Sequence, residues 1–229
     1  MERIKTCIPG LDEILGGGLA KSSVTLLTGL CGTGKTIFGV QFTYLGAKKY
    51  NENGVYLSFE EPIESIKANT SEFGWSFKEL EESGKFTFVR YDPFHVEDIF
   101  DMLETTIRER NAKRVCIDSI SALGLHVRDK AELRRMIFNL SLILRKTQAT
   151  AILISEITPG AKGISRYGVE EFVSDAVIVL YYERTNSSFS RAIQVWKMRG
   201  SAHSEKIHPY KITSQGIVVY PKEEAFIRI

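Results

Sequence analysis

No stretch of this chain stays apolar for anything near the ~18 residues that a membrane-spanning helix needs. Its opening residues, MERIKTCIPGLDEI, carry acidic side chains where a secretory leader would place its apolar core. A soluble, cytoplasmic protein with no membrane partner is expected. Cysteine is scarce: Cys7, Cys31 and Cys116 are the only three. None stands at metal-ligand spacing, and an odd count fits a reducing compartment. Charge of one sign is missing too. With 30 Lys and Arg against 28 Asp and Glu, the formal net charge is +2, unlike the lopsided basic surface of a dedicated nucleic-acid binder. Composition therefore neither requires nor excludes nucleic acid. Nor is there a Pro/Ser/Gly linker, a low-complexity tract or an internal repeat at which to divide the 229 residues, so a single domain over 1–229 is expected. Folding a chain of this length buries roughly 70–75% of its unfolded surface, enough to need neither disulfide nor structural metal.

What is present is the octapeptide GLCGTGKT at residues 29–36, directly after the apolar run Val24 to Thr28. It fits the G-x-x-x-x-G-K-[ST] phosphate-binding loop in full and predicts binding of a nucleoside triphosphate. Small residues let successive backbone N–H groups turn inward on phosphates, and the start of the next helix adds its positive end. Gly29 opens this cradle and Gly32, Thr33 and Gly34 form it, with Ile37 in the helix's first turn counted among the nucleotide-binding residues. Lys35 reaches the β- and γ-phosphates as a mobile charge, and the Thr36 hydroxyl helps to coordinate Mg²⁺.

The rest of the chain reads as alternating elements. A helix is predicted over 35–50, a strand over 55–59, a helix from Pro62 toward Gly74, a strand over 86–91 and a helix over 96–110. A short strand at 115–117, a helix over about 130–147 and a strand at 151–154 follow. Beyond residue 175 consecutive strands are predicted at about 176–183, 191–199 and 217–220, with Asn186-Ser187-Ser188 as a hairpin turn. The fold class is α/β, a central mostly parallel sheet with flanking helices and C-terminal antiparallel strands.

Three further groups carry candidate chemistry. Asp118 ends the strand in RVCIDS, where a nucleotide-hydrolysing domain needs a carboxylate to hold Mg²⁺ through water beside Thr36; the competing reading is a strand-end cap next to Ser119. Glu60 and Glu61 directly follow another buried strand, and parallel sheets gather their ligand sites at the carboxyl ends of strands. One carboxylate can orient and deprotonate the attacking water while the other tunes it, with Glu60 preferred as base; the alternative is a solvated acidic turn. Lys197 and Arg199 stand two residues apart at a strand end and so share one face of the sheet. Because Lys35 already serves its own subunit, this pair makes most sense as a finger into a neighbouring subunit's nucleotide. The plain alternative is a basic exposed strand end. His203 lies in the same loop, a surface histidine or a minor nucleotide contact.

With these motifs in order, the chain resembles the RecA-fold P-loop ATPases and, within them, the KaiC family. The resemblance runs through PGLDEILGGGL (9–19), GLCGTGKT, YLSFEEP (56–62), RVCIDSISAL (114–123), YGVEEFVSD (167–175) and KMRGSAH (197–203). It implies a ring, usually hexameric, with ATP and Mg²⁺ between subunits, Glu60 and Glu61 as the catalytic pair, and Lys197 and Arg199 acting in trans. Where the family's autophosphorylating domain carries adjacent Ser and Thr, Glu170 and Glu171 stand here. That resembles the family's ATPase-only first domain, coupled to an unidentified regulatory or signalling partner. The runner-up is a recombinase-like ATPase using residues 119–130 and 158–170, with Lys162, Arg166 and Tyr167, as DNA loops.

Overall fold

The computed structural model of the protein describes residues 1–91, 98–125, 127, 129–161, 163–185 and 188–226. A small N-terminal unit pairs β1 (Arg3–Ile4) with β2 (Leu19–Ala20) around α1 (Leu11–Ile14). Then come β3 (Val24–Gly29), α2 (Lys35–Tyr50), β4 (Gly54–Ser58), α3 (Ile63–Ser71), α4 (Lys78–Glu82), β5 (Phe86–Arg90), α5 (Ile99–Glu109) and β6 (Arg114–Asp118). A 3-10 segment, Ile120–Leu125, leads to α6 (Lys130–Lys146), β7 (Thr150–Glu156), α7 (Glu170–Val173), β8 (Ala176–Thr185), β9 (Ser188–Met198), β10 (Ile207–Thr213) and β11 (Gly216–Val219).

Among the described residues, one sheet runs in the order β11-β10-β9-β8-β3-β7-β6-β4-β5. From β8 to β5 the neighbours pair in parallel, whereas β9, β10 and β11 are antiparallel. Side chains alternate between two cores. Val55, Leu57, Val115, Ile117, Ala151 and Leu153 join α5 and α6 on one face. Tyr56, Cys116, Ile152 and Ile154 join α1 and α2 on the other. Covering on both faces explains why these strands read as continuous apolar runs. The carboxyl ends of the parallel strands form one edge, where Gly29 is level with Glu156 and Ser58 with Asp118.

Most predicted elements are present with ends shifted by a few residues. The strand expected at 55–59 ends at Ser58, and the helix expected to reach toward Gly74 ends at Ser71. Residues 96 and 97 of the predicted helix, and Asn186 and Ser187 of the predicted turn, lie outside the described residues; β8 and β9 nonetheless pair with Thr185 opposite Ser188. An unpredicted strand is β10, IHPYKIT, whose Pro209 argues against a central strand. Pro209 is tolerated because it marks a change of partner: residues 207–209 pair with β9 and residues 210–213 with β11.

Helix α2 approaches the sheet through glycine. A Cβ on Gly39 would stand 2.4 Å from Cys116 Sγ and 3.2 Å from both Ile154 Cδ1 and Tyr56 Cε2. Alanine is the better helix former, yet Gly39→Ala is expected to lower stability by about 1–3 kcal/mol through overpacking, measured by urea unfolding. A stabilised variant would show that the helix can lift off the sheet freely.

Candidate nucleotide-binding site

The loop between β3 and α2 takes its shape from two left-handed glycines, Gly32 at φ 80° and Gly34 at φ 88°, a conformation that Cβ-bearing residues rarely adopt. Gly34 is the N-cap of α2, so Lys35, Thr36 and Ile37 occupy its first turn. The Thr33 hydroxyl donates to Leu30 O at 2.8 Å, and Lys35 Nζ donates to Gly29 O and Leu30 O, each at 3.0 Å. Lys35 thus folds back over its own loop. Burial lowers its pKa, an effect opposed by the charges of Glu156 and Asp118.

Asp118, at the end of β6, is the hub of the site. Its Oδ2 accepts from Thr36 Oγ1 at 2.7 Å and from Tyr56 OH at 2.6 Å. Burial raises its pKa, against the lowering effect of the Tyr56 and Thr36 hydrogen bonds and of Lys35. Thr36 and Asp118 are hard oxygen donors held together at the mouth of a phosphate loop, a donor set that fits Mg²⁺ completed by phosphate and water. Among the described residues no three His, Cys, Asp or Glu side chains converge as a metal site.

The comparisons agree with this geometry. A family model described as "ATPase: KaiC" matches residues 4–224. The chain belongs to the KaiC ATPase family. It is 39% identical to the UPF0273 protein MJ1359 of Methanocaldococcus jannaschii, with 100% of both chains covered. It is 35% identical to the circadian clock oscillator protein KaiC of Parathermosynechococcus lividus, over 95% of this chain and 42% of that protein. The crystal structure of KaiC-like protein PH0186 from Pyrococcus horikoshii matches with a TM-score of 0.89 and 39% identity, covering 96% of this chain and 99% of that one.

The other predicted residues fall into two groups. Glu60 and Glu61 follow β4 on the same edge as Asp118 and the phosphate loop. Glu60 is exposed, and its pKa is raised by partial burial and then by the charges of Glu156 and Asp118. The Glu61 pKa is raised by burial and Asp118, while its side chain accepts from Asn69 at 3.2 Å. Lys197 and Arg199 lie elsewhere. Lys197 pairs with Val177, which is level with Leu26, and Arg199 N donates to Asp175 O, whose own N–H donates to Val24 O. Arg199 is therefore about 16 Å along the strands from Gly29, at the far edge of the sheet. His203 is also there, its Nδ1 2.9 Å from Ser204 O, in a loop tied to Ile14 O.

Sequence reasoning missed several residues that brace the loop from outside. Tyr210 OH donates to Thr33 O at 2.5 Å, and Arg191 donates to Gly32 O at 3.1 Å while its guanidinium lies 4.3 Å from the Tyr182 ring centroid. Arg191, Tyr210, Lys211, Ile212 and Tyr220 line a cleft of about 320 Å³ beside them. Tyr210 and Lys211 belong to the strand that Pro209 concealed. Glu156 was missed as well, although like Asp118 in β6 it is the last residue of its strand, following Ser155 after the apolar run of β7.

Because the Asp118 pKa is raised on folding, its charged form opposes folding. Its contribution is lost as pH rises from its unfolded to its folded pKa, and at neutral pH the charge is a net cost. Asp118→Asn is therefore expected to raise Tm at pH 7 without metal by about 2–4 °C for each kcal/mol relieved. The gain should shrink at pH ~3, below the ordinary carboxylate range. Calorimetry at both pH values checks this; a lower Tm at pH 7 would contradict it.

Proposed function

We propose that this chain is a Mg²⁺-dependent ATP hydrolase that assembles into a homo-oligomeric ring, hexameric as in the family it belongs to, with each active site completed by the next protomer. The observation that carries the reading is the division of charges between two edges of one sheet. Lys35, Thr36, Asp118, Glu60 and Glu61 share one edge, and Lys197, Arg199 and His203 share the other. Within one protomer the two groups serve no common phosphate, whereas a head-to-tail contact brings one edge against the other.

Bound Mg²⁺-ATP would supply the phosphoanhydride to be broken and the cation that neutralises its developing charge. Lys35 exchanges its carbonyl partners Gly29 and Leu30 for β- and γ-phosphate oxygens. The N–H groups of Gly32 to Ile37 would receive the phosphates, and Thr36, with Asp118 through water, would hold the metal. Glu60 takes a proton from the attacking water, helped by its raised pKa, while Glu61 keeps the local field negative. Lys197 and Arg199 stabilise transition-state charge from the neighbouring protomer, and His203 lies within the same contact. The output is conformational and is read by a regulatory partner protein.

The recombinase-like alternative is weakened by Tyr167, the one aromatic side chain in its proposed loops. Tyr167 is half-buried and donates to Ser121 O at 2.7 Å, so it offers no free stacking platform. Arg166 in the same segment pairs with Glu156 at 3.2 Å; Lys162 lies outside the described residues.

Phosphate release should require Mg²⁺ and fall about 100-fold or more in Glu60→Gln, the usual scale for a general base, with a smaller loss in Glu61→Gln. Equal rates in wild type and Glu60→Gln would remove Glu60 from the mechanism. The acid limb of kcat/KM, which reports the free enzyme, should lie above the ordinary Glu range. Glu156→Gln, by removing one of the charges that raise the Glu60 pKa, should move that limb to lower pH; an unmoved limb would assign it to another group.

A further inference from the structure

Glu170 is wholly buried, yet among the described residues no cation bonds it. Instead its carboxylate is ringed by donors. Ser155 Oγ donates at 3.0 Å, Ser165 Oγ at 2.9 Å and the Val169 N–H at 3.0 Å, and the Tyr167 N–H is shared between both oxygens at 3.3 Å. The single Ser165 proton is shared, since its Oγ also lies 2.5 Å from Glu171 Oε2, so Ser155 and the Val169 and Tyr167 N–H groups carry the rest of this buried carboxylate's solvation. An amide could keep its oxygen on the Val169 and Tyr167 N–H groups, but its NH₂ would then face Ser155 Oγ, reversing that bond, and the negative charge these donors solvate would be lost.

The location gives this anchor a use. Ser155 is level with Thr28, next to the Gly29 and Glu156 pair at the phosphate-loop edge. Five residues later, Asp175 closes onto the other end of β3: its N–H donates to Val24 O at 2.8 Å, and its Oδ2 accepts from Val24 N at 3.0 Å. Residues 170–175 thus span the depth of the sheet, about 13 Å. Between its two ties, this strut carries the carbonyls that hold the far-edge cations. Lys197 Nζ donates to Glu171 O and Ser174 O, both at 2.7 Å, and Arg199 Nη2 donates to Phe172 O at 2.9 Å. Ser174 Oγ donates back to Glu170 O at 2.9 Å, closing the turn.

We propose that Glu170 is a positioning residue for hydrolysis in the neighbouring protomer: its buried carboxylate fixes the strut against the end of β7 and thereby sets the placement of Lys197 and Arg199. This inference rests on the reading that those two cations act in trans. One consequence is physical continuity between the two edges. The strand end bordering a protomer's own phosphate loop and the cations it lends to the next protomer are held by one segment.

The test is a mutant cycle on the full chain, reading phosphate release with Mg²⁺-ATP together with the affinity of a fluorescent ATP analogue. Its members are wild type, Glu170→Gln, the pair Lys197→Ala with Arg199→Ala, and all three substitutions combined. Misplaced cations weaken the transition state more than the ground state. Glu170→Gln should therefore slow hydrolysis about tenfold or more, with affinity changed less than about twofold. The triple variant should be no slower than the cation pair alone, because Glu170 acts only through those cations. Losses that multiply, or a wild-type rate in Glu170→Gln, would overturn the inference while leaving the trans reading intact. A wild-type rate in the cation-pair variant would instead overturn the trans reading and this inference with it. Should Glu170→Gln fail to fold, Ser165→Ala removes only one of the donors and carries the same cycle with a smaller loss expected; multiplying losses there would overturn the proposal equally.

Discussion

Two hydroxyls converge on a single oxygen of Asp118, and the arrangement of the phosphate-loop edge depends on that contact. Thr36 comes from the first turn of α2, Tyr56 from the middle of β4 and Asp118 from the end of β6, so the hydrogen bonds at 2.7 and 2.6 Å tie three separate elements at one point. A buried carboxylate is unfavourable by itself. In the proposed reading its charge has a task, because a divalent cation would be the partner of this desolvated group. Lys35 shows the complementary state, a buried cation that satisfies itself on loop carbonyls and can exchange them for phosphate.

The second organising constraint is direction. Parallel strands bring Gly29, Ser58, Asp118 and Glu156 to one edge, and the antiparallel return of β9 carries Lys197 and Arg199 to the other. This polarity separates the two halves of the candidate chemistry within one chain. It gives the proposed ring a structural reason, since only a second copy can reunite them. The strut from Glu170 to Asp175 runs between the two edges and supplies carbonyls that accept from both cations.

Much of this was legible in the sequence because the signals were local. GLCGTGKT declares a phosphate loop through glycines that the backbone needs at Gly32 and Gly34, and the apolar run before Asp118 marks a buried strand ending at the chemical edge. The elements that escaped notice are those whose cause is tertiary. Strand β10 was hidden by Pro209, which is acceptable only because the strand changes partner there. The bracing of the loop by Tyr210 and Arg191 depends on that same strand order, which no periodicity encodes. Glu170 carried a family-level signal as one of an acidic pair, but its five donor contacts and complete burial arise from a loop folding back onto β7.

The most direct test of a shared active site is complementation by mixing. Glu60→Gln protomers retain the cations but lack the base; protomers with both Lys197→Ala and Arg199→Ala retain the base but lack the cations. Each preparation alone should hydrolyse ATP poorly. If each site combines two neighbouring subunits, an equimolar mixture, allowed to exchange subunits, should recover about a quarter of wild-type phosphate release, the fraction of random head-to-tail contacts that unite both intact halves. Activity that never rises above the average of the two separate preparations, despite verified subunit exchange, would contradict a site built across protomers.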